Sequence, residues 1–176
     1  FAVREVLLRA LCPPLDAREA LVRHSRGLAG AARAAGNLTI AASVMDRMES
    51  LLLTPGASTP GSLTVDRCAC KLEQARILWA KGEADLAIRT AAVLGPALEA
   101  MERSALVAGP RTRGLEVQAR QLAGRWMAAA RSESTQRIID GHLRPAVERA
   151  VVGGGTHTQR RQAHLTLANF LVELHQ

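Results

Sequence analysis

The sequence predicts an all-α protein assembled from antiparallel helix hairpins. Three observations carry that expectation. Apolar residues recur at steps of four, three and four, the period of one face of a helix; Cys68, Leu72, Ala75 and Trp79 form one such stripe, and Leu115, Ala119, Leu122 and Trp126 another. Hydrophobic residues make up 48% of the chain but aromatic ones only 2%, with no tyrosine. An apolar share drawn mainly from Ala, Leu and Val suits closely packed helices better than strands built from β-branched and aromatic residues. Finally, the stripes begin at Leu21, Cys68, Leu115 and Ala163, at intervals of 47, 47 and 48 residues.

Taken in order, Ala2 to Leu11 reads as a short helix ended by Pro13-Pro14, because proline cannot continue the hydrogen-bond ladder. Asp16 and Glu19 have capping-box spacing and open a helix through Ala35. Gly36 stops it, and Asn37 is a suitable N-cap for a helix from Leu38 to Leu53. Thr54 to Thr64 is a connection rich in Pro, Gly and Ser. The stretch from Lys71 to Leu94 then folds back on itself around Gly82, a residue free to adopt the left-handed conformation that ends a helix. Glu83 and Asp85 fall in the first turn of the following helix, where carboxylates complement exposed N–H groups. Ala87 is small enough to sit at a close helix crossing, and Gly36 with Ala41 repeats the spacing of Gly82 with Ala87. The helix runs to about Arg103, with a bend or break expected at Gly95-Pro96.

Gly109 to Gly114 reads as a loop, Ser132 to Thr135 as a turn, and Gln136 to Val152 as a helix turning Ile139, Leu143, Val147 and Ala150 inward, kinked at Pro145. Gly153 to Gly155 is a flexible joint, and the last helix carries Ala163, Leu167, Phe170 and Leu174 inward. The hairpins lie at about 16–53, 66–103, 113–152 and, incomplete, 158–176, all within one helical-repeat domain spanning 1–176. A period of about 47 falls at the upper edge of the roughly 40–47 residues of HEAT or armadillo arrays and well above the 34 of tetratricopeptide repeats. The expected architecture is an α-solenoid in which each hairpin contacts its neighbours.

The net charge of +7 and a pI near 10.8 raise nucleic acid as a partner. The positive charge is almost all arginine, however, spread over every helix, with Arg160-Arg161 the longest run. A solvated basic surface is the expected reading, without direct nucleic-acid contact. Three cysteines (Cys12, Cys68, Cys70) suit a reducing compartment better than a disulfide framework, and Cys68 with Cys70 lacks the partners of a zinc site. Both are expected to be free thiols, buried or half-buried. No apolar run approaches twenty residues, so no membrane span is expected. Because Phe1 and Gln176 both fall inside apolar helical patterns, the chain reads as an excerpt of something longer.

No chemistry-bearing constellation emerges. The five histidines are far apart, and Glu99 and Glu102 fall on what should be an exposed turn. Gly153 to Gly155 is not followed by Gly-Lys-Ser or Gly-Lys-Thr, and kinase metal-ligand motifs are missing from the segment. The sequence thus assigns no catalytic, cofactor-binding or metal-ligating residue. The residues it singles out are structural: Trp79 and Trp126 as core between hairpins, Gly36, Gly82 and Ala87 at turns and crossings, and Phe170 on the last stripe.

At Leu72-Glu-Gln-Ala-Arg-Ile-Leu-Trp-Ala-Lys81 the chain resembles the FAT domain of the phosphatidylinositol 3-kinase-related protein kinases, within them the ATM/Tel1 branch, which has a Leu-Glu-Glu-Ala-Gln-x-x-Trp-Ala-Lys helix. Further blocks agree in order: Ala2 to Leu8, His24 to Ala35 with the following Asn37 to Ala41, Gly124 to Ala128, Leu143 to Glu148 and Ala163 to Phe170. Gly95-Pro96, Pro145 and the 153–157 joint depart from the family pattern. The resemblance implies a non-catalytic helical collar that clasps the kinase domain of a nuclear, DNA-damage-response serine/threonine kinase. It further implies ATP and a divalent metal in that kinase domain and homodimerisation of the parent, with no cofactor in this segment. Two other readings stand beside it: a free-standing helical-repeat adaptor that binds a peptide, and the equivalent segment of an ATR- or TOR-type relative.

Overall fold

The computed structural model describes residues 14–53, 60–104, 109–152 and 156–173, and all regular structure among them is helical. The elements are α1 (Pro14–Ala34), α2 (Leu38–Leu53), α3 (Pro60–Ala80), α4 (Ala84–Arg103), α5 (Pro110–Ala130), a short α6 (Thr135–Ile138), a π-helical segment (Ile139–Leu143), α7 (Arg144–Val152) and α8 (His157–Glu173). They fall into two units, Phe1–Lys81 and Gly82–Gln176.

Three of these helices, α1, α3 and α5, have 21 residues each and begin with proline. The first helical position has no intrahelical use for an N–H, and proline's fixed φ is already helical. Prolines expected to mark loops therefore start helices. The expected connection Thr54 to Thr64 gives way to helix from Pro60, the expected loop Gly109 to Gly114 to helix from Pro110, and Asp16 lies inside α1 instead of capping it. The expected helix from Ala2 to Leu11, the Gly153 to Gly155 joint and Leu174 lie outside the described residues.

In the first unit, α1 and α2 form an antiparallel hairpin on which α3 packs. Gly36 ends α1 at φ +76°, with its N–H donating to the Arg33 carbonyl and that of Asn37 to the Ala32 carbonyl, a Schellman closure. Asn37 then caps α2, its Oδ1 accepting from the Ile40 N–H at 3.2 Å, as expected from its position. Val22 and Ala29 of α1, Ala41, Met45, Met48 and Leu52 of α2, and Cys70 and Ile77 of α3 make one apolar cluster. Ala41 is wholly buried there, so the small residue five past the glycine does lie at the helix contact. Each of the larger side chains contributes about 1.5–3 kcal/mol by leaving water. Ser25 of α1 is fully buried, and its Oγ has no hydrogen-bond partner among the described residues.

In the second unit, α5 is the central element and packs against α4, the π segment, α7 and α8. Val117 joins Ala146, Ala150 and Ala163 in one apolar cluster. Gly82 has φ +85°, as its place at a turn requires, and Ala87 is fully buried. Helix α4 runs without a break through Gly95-Pro96, with Pro96 inside it. The glycine has a packing role: a Cβ on Gly95 would lie 2.8 Å from Arg120 Cγ, so the missing methyl lets an arginine stem cross the helix. Before α8, Thr156 and Gln159 form a reciprocal capping box, the Gln159 N–H donating to Thr156 Oγ1 at 3.2 Å and the Thr156 N–H to Gln159 Oε1 at 3.0 Å.

The expected kink at Pro145 takes a specific form. Proline has no N–H to give the carbonyl four residues back, which is Gly141. The helix widens just before it, and the Arg144 N–H reaches back five residues to the Ile139 carbonyl. That is π geometry, and it leaves the Gly141 carbonyl without its ordinary helical donor.

Candidate functional site: a buried arginine–glutamate network

The Gly141 carbonyl does find a partner. Arg120 of α5 donates to it through Nη1 at 3.2 Å, to Glu116 through Nε at 3.0 Å and to Glu99 of α4 through Nη2 at 2.7 Å. One planar fork thus fixes three acceptors on three elements, which a single-point lysine charge could not do. Glu116 is fully buried, and its second oxygen accepts from Arg149 Nε of α7 at 2.9 Å. Arg149 also reaches Glu102 of α4, which in turn takes Arg113 of α5.

Glu99, Glu102 and Glu116 are therefore matched by Arg113, Arg120 and Arg149, three charges of each sign, with Arg103 adding a rim contact to Glu99 at 3.2 Å. Burial alone would push the Glu102 carboxyl up, but hydrogen bonds and charge from Arg113 and Arg149 hold it below the usual carboxylate range. Burial likewise works against the Arg149 guanidinium, and Glu116 and Glu102 outweigh it, so its proton is held more tightly than usual. Glu99 and Glu102 were expected on an exposed turn. They are instead partly buried on the α5 side of α4, with side-chain exposures of 31% and 12%. Spacing alone could not show this, because the arginines that draw them in lie far away in sequence.

A smaller counterpart exists in the first unit. Glu73 of α3 is 4% exposed and accepts from Arg33 of α1 at 2.9 Å and from Arg76 at 2.8 Å. Chemically, both assemblies hold carboxylates as anions against guanidinium groups. Neither presents a nucleophile beside a base. The π segment adds His142, whose buried Nδ1 has no hydrogen-bond partner among the described residues and whose pKa is lowered by burial and by Arg120. It borders a shallow hollow of about 490 Å³ with Met127, Gln136 and Asp140. No group of three His, Cys, Asp or Glu side chains among the described residues could hold a metal ion.

The residues singled out from sequence do not converge on one site. Gly36 and Trp79 belong to the first unit, and Gly82, Ala87, Trp126 and Phe170 to the second. Trp126 is core, at 7% exposure, as expected. Trp79 is only half-buried, and so is Phe170, which lines an open groove of about 780 Å³ with Leu143, Leu165 and Thr166. Cys68 and Cys70 are free thiols, half-buried and buried respectively. Among the described residues no helix is long and apolar enough to cross a membrane.

The fold and the network together define an all-α protein of packed antiparallel helices braced by buried ion pairs. Comparison with models of known protein families and with curated proteins gives no match.

Proposed function

We propose that the chain is a FAT-type helical-repeat segment of an ATM-like serine/threonine protein kinase, acting as a non-catalytic scaffold that clasps and regulates the kinase domain. ATP and a divalent metal belong to that kinase domain, and nuclear location and homodimerisation belong to the parent protein. One observation supports the reading above the rest. Within the Leu72 to Lys81 block, several residues that agree with the family helix carry the packing of α3: Leu72 and Ala75 are 1% and 0% exposed, and Glu73 takes the two arginines described above. The resemblance falls on what holds the helix in place. A stack of such braced helices suits a collar, because small displacements pass between packed helices by shear.

The test is the reading frame downstream of the Gln176 codon. The expected result is a continuous frame entering a two-lobed ATP-binding domain; a stop codon before any such domain refutes the proposal.

A further inference from the structure

The π segment Ile139–Leu143 brings one histidine against the central helix. Gly124 of α5 has no side chain, so the chain at His142 comes close: a methyl on Gly124 would lie 3.4 Å from His142 Cβ. The ring is half-buried, and its Nδ1 is shielded from solvent with no hydrogen-bond partner among the described residues. A neutral imidazole tolerates this, because it keeps its single proton on Nε2 and leaves Nδ1 a bare lone pair. An imidazolium carries a proton on both nitrogens, and the inner N–H would have nothing to donate to.

The surrounding charges act in the same direction. Arg120 of α5 donates to the Gly141 carbonyl at 3.2 Å, which sets a guanidinium close to the neighbouring histidine. Glu99 and Glu116 are already bonded to that arginine. Glu133, in the turn before α6, draws a proton toward His142, but it is exposed and paired with Arg137 of α6 at 3.3 Å. Asp140 of the segment itself is paired with Arg144 of α7 and accepts from Gln136. On the segment's other side, the groove where Leu143 meets α8 holds Arg125, Arg131, Glu133 and Glu173. Burial and Arg120 outweigh Glu133, and the His142 pKa is lowered from its ordinary 6.5.

We infer that the π segment is an acid-opened joint: protonating His142 drives its ring out of the slot against α5 into the adjoining hollow, and the turn at Gly141 loosens from Arg120. The hollow of about 490 Å³ already borders the ring and is open to water. There both N–H groups of the imidazolium find acceptors, in water and in Glu133 and Asp140, which line the hollow. The sign follows from the lowered pKa. The closed turn is fully favoured above about pH 6.5 and loses ground as pH falls below it. A solvated imidazole gains about tenfold in protonation per pH unit below that value, which bounds the effect at pH 5.5 to about tenfold. None of this depends on the proposed kinase family.

The experiment follows the 176-residue chain by NMR between about pH 7.5 and 5.5, one unit either side of the ordinary histidine value. It reads histidine ring shifts together with amide exchange corrected for its intrinsic pH dependence. The Arg144 amide, which donates to the Ile139 carbonyl, is expected to lose about three- to tenfold in protection, with the same midpoint as the His142 ring. Amides of α8, which carries His157 and His164, should stay level, which separates the joint from general loosening in acid. His142→Gln is uncharged at every pH and should hold Arg144 protection constant within about twofold. Unchanged far-ultraviolet circular dichroism shows that this variant folds. A His142 ring that does not titrate in this range, or that titrates without loss at Arg144, overturns the inference. So does an equal loss in His142→Gln or across α8. If the variant does not fold, the parent chain decides alone: coincident ring and amide midpoints support the joint, and a separation of more than about half a pH unit refutes it.

Discussion

Replacing Arg149 by methionine keeps the aliphatic stem and removes the guanidinium that joins Glu116 to Glu102. Before the change the network holds three carboxylates and three guanidinium groups; afterwards it holds one uncompensated negative charge beside a fully buried Glu116. Removing one partner of a buried pair costs about 3–5 kcal/mol. Arg149 is 29% exposed, so water relieves part of that, and about 2–3 kcal/mol is expected. With a urea m-value of about 1 kcal/mol per molar, the midpoint should fall by about 2–3 M. The two tryptophans make the measurement specific, since Trp126 lies in the second unit and Trp79 in the first. A Trp79→Phe background therefore reports unfolding around the network by fluorescence alone. The companion variant Glu116→Met/Arg149→Met leaves Glu99 bonded to Arg120 and Glu102 to Arg113, a balanced pair of pairs. It should lie within about 1 kcal/mol of the parent. A midpoint shift under 0.5 M for Arg149→Met, or a double variant as unstable as the sum of its parts, refutes the charge-balance argument.

Burial pushes the Cys70 thiol up to about 12 from its ordinary 9, so the folded state favours the neutral thiol. The stability this contributes is intact below about pH 9 and lost as pH rises toward 12, by at most about 1.4 kcal/mol per unit; Cys70→Ala should lessen the alkaline fall in urea midpoint, and identical pH profiles refute the assignment. Glycine-to-alanine changes should differ in sign by site: Gly95→Ala forces the Arg120 stem aside and should cost about 1–3 kcal/mol in the same assay, whereas Gly27→Ala, with nothing within 4 Å of the new methyl, should stabilise the first unit by about 0.5–1 kcal/mol, read by urea unfolding with Trp79 retained as the reporter.

Local physics was legible in the sequence, and long-range electrostatics was not. The Gly36 closure, the Asn37 cap and the α2 limits at Leu38 and Leu53 follow from short-range preferences, and the structure has each of them. Proline misled twice for one reason: the same ring that cannot continue a helix is well suited to starting one. Pro60 and Pro110 sit where the sequence alone allows either outcome. Pro145 was legible as a disturbance, but its consequence needed Arg120, a residue on another helix, to take the freed carbonyl. The network followed the same rule. Glu99, Glu102, Arg113, Glu116, Arg120 and Arg149 span 51 residues and look like scattered surface charge until α5 lies between α4 and α7. The i,i+4 pairs Glu99–Arg103 and Glu116–Arg120 were local signals, but they gave no hint that Glu116 would be wholly buried.

Why a charged network stands where an apolar core would serve is answered by what surrounds it. Apolar residues of comparable volume are often as stabilising as a buried ion pair, so stability alone does not explain it. The helices meeting here are lined with small residues: Ala87 and Ala91 on α4, Ala119 and Ala123 on α5, and Ala146 and Ala150 on α7, all essentially inaccessible. Alanine surfaces come close together but have shallow ridges and grooves, and ridge-into-groove packing is what fixes the angle and axial register of helix pairs. Large side chains interlock at a few places, as where Leu143 fills the notch left by Gly124, a methyl there lying 2.6 Å from Leu143 Cδ2. The forks of Arg120 and Arg149 add to that information. Each fork has acceptors at set positions on two neighbouring elements, so sliding α4 or α7 by one turn would break several charge-assisted bonds together. The arginines thus reinforce the register of a helix packing whose apolar surface is built largely from small residues.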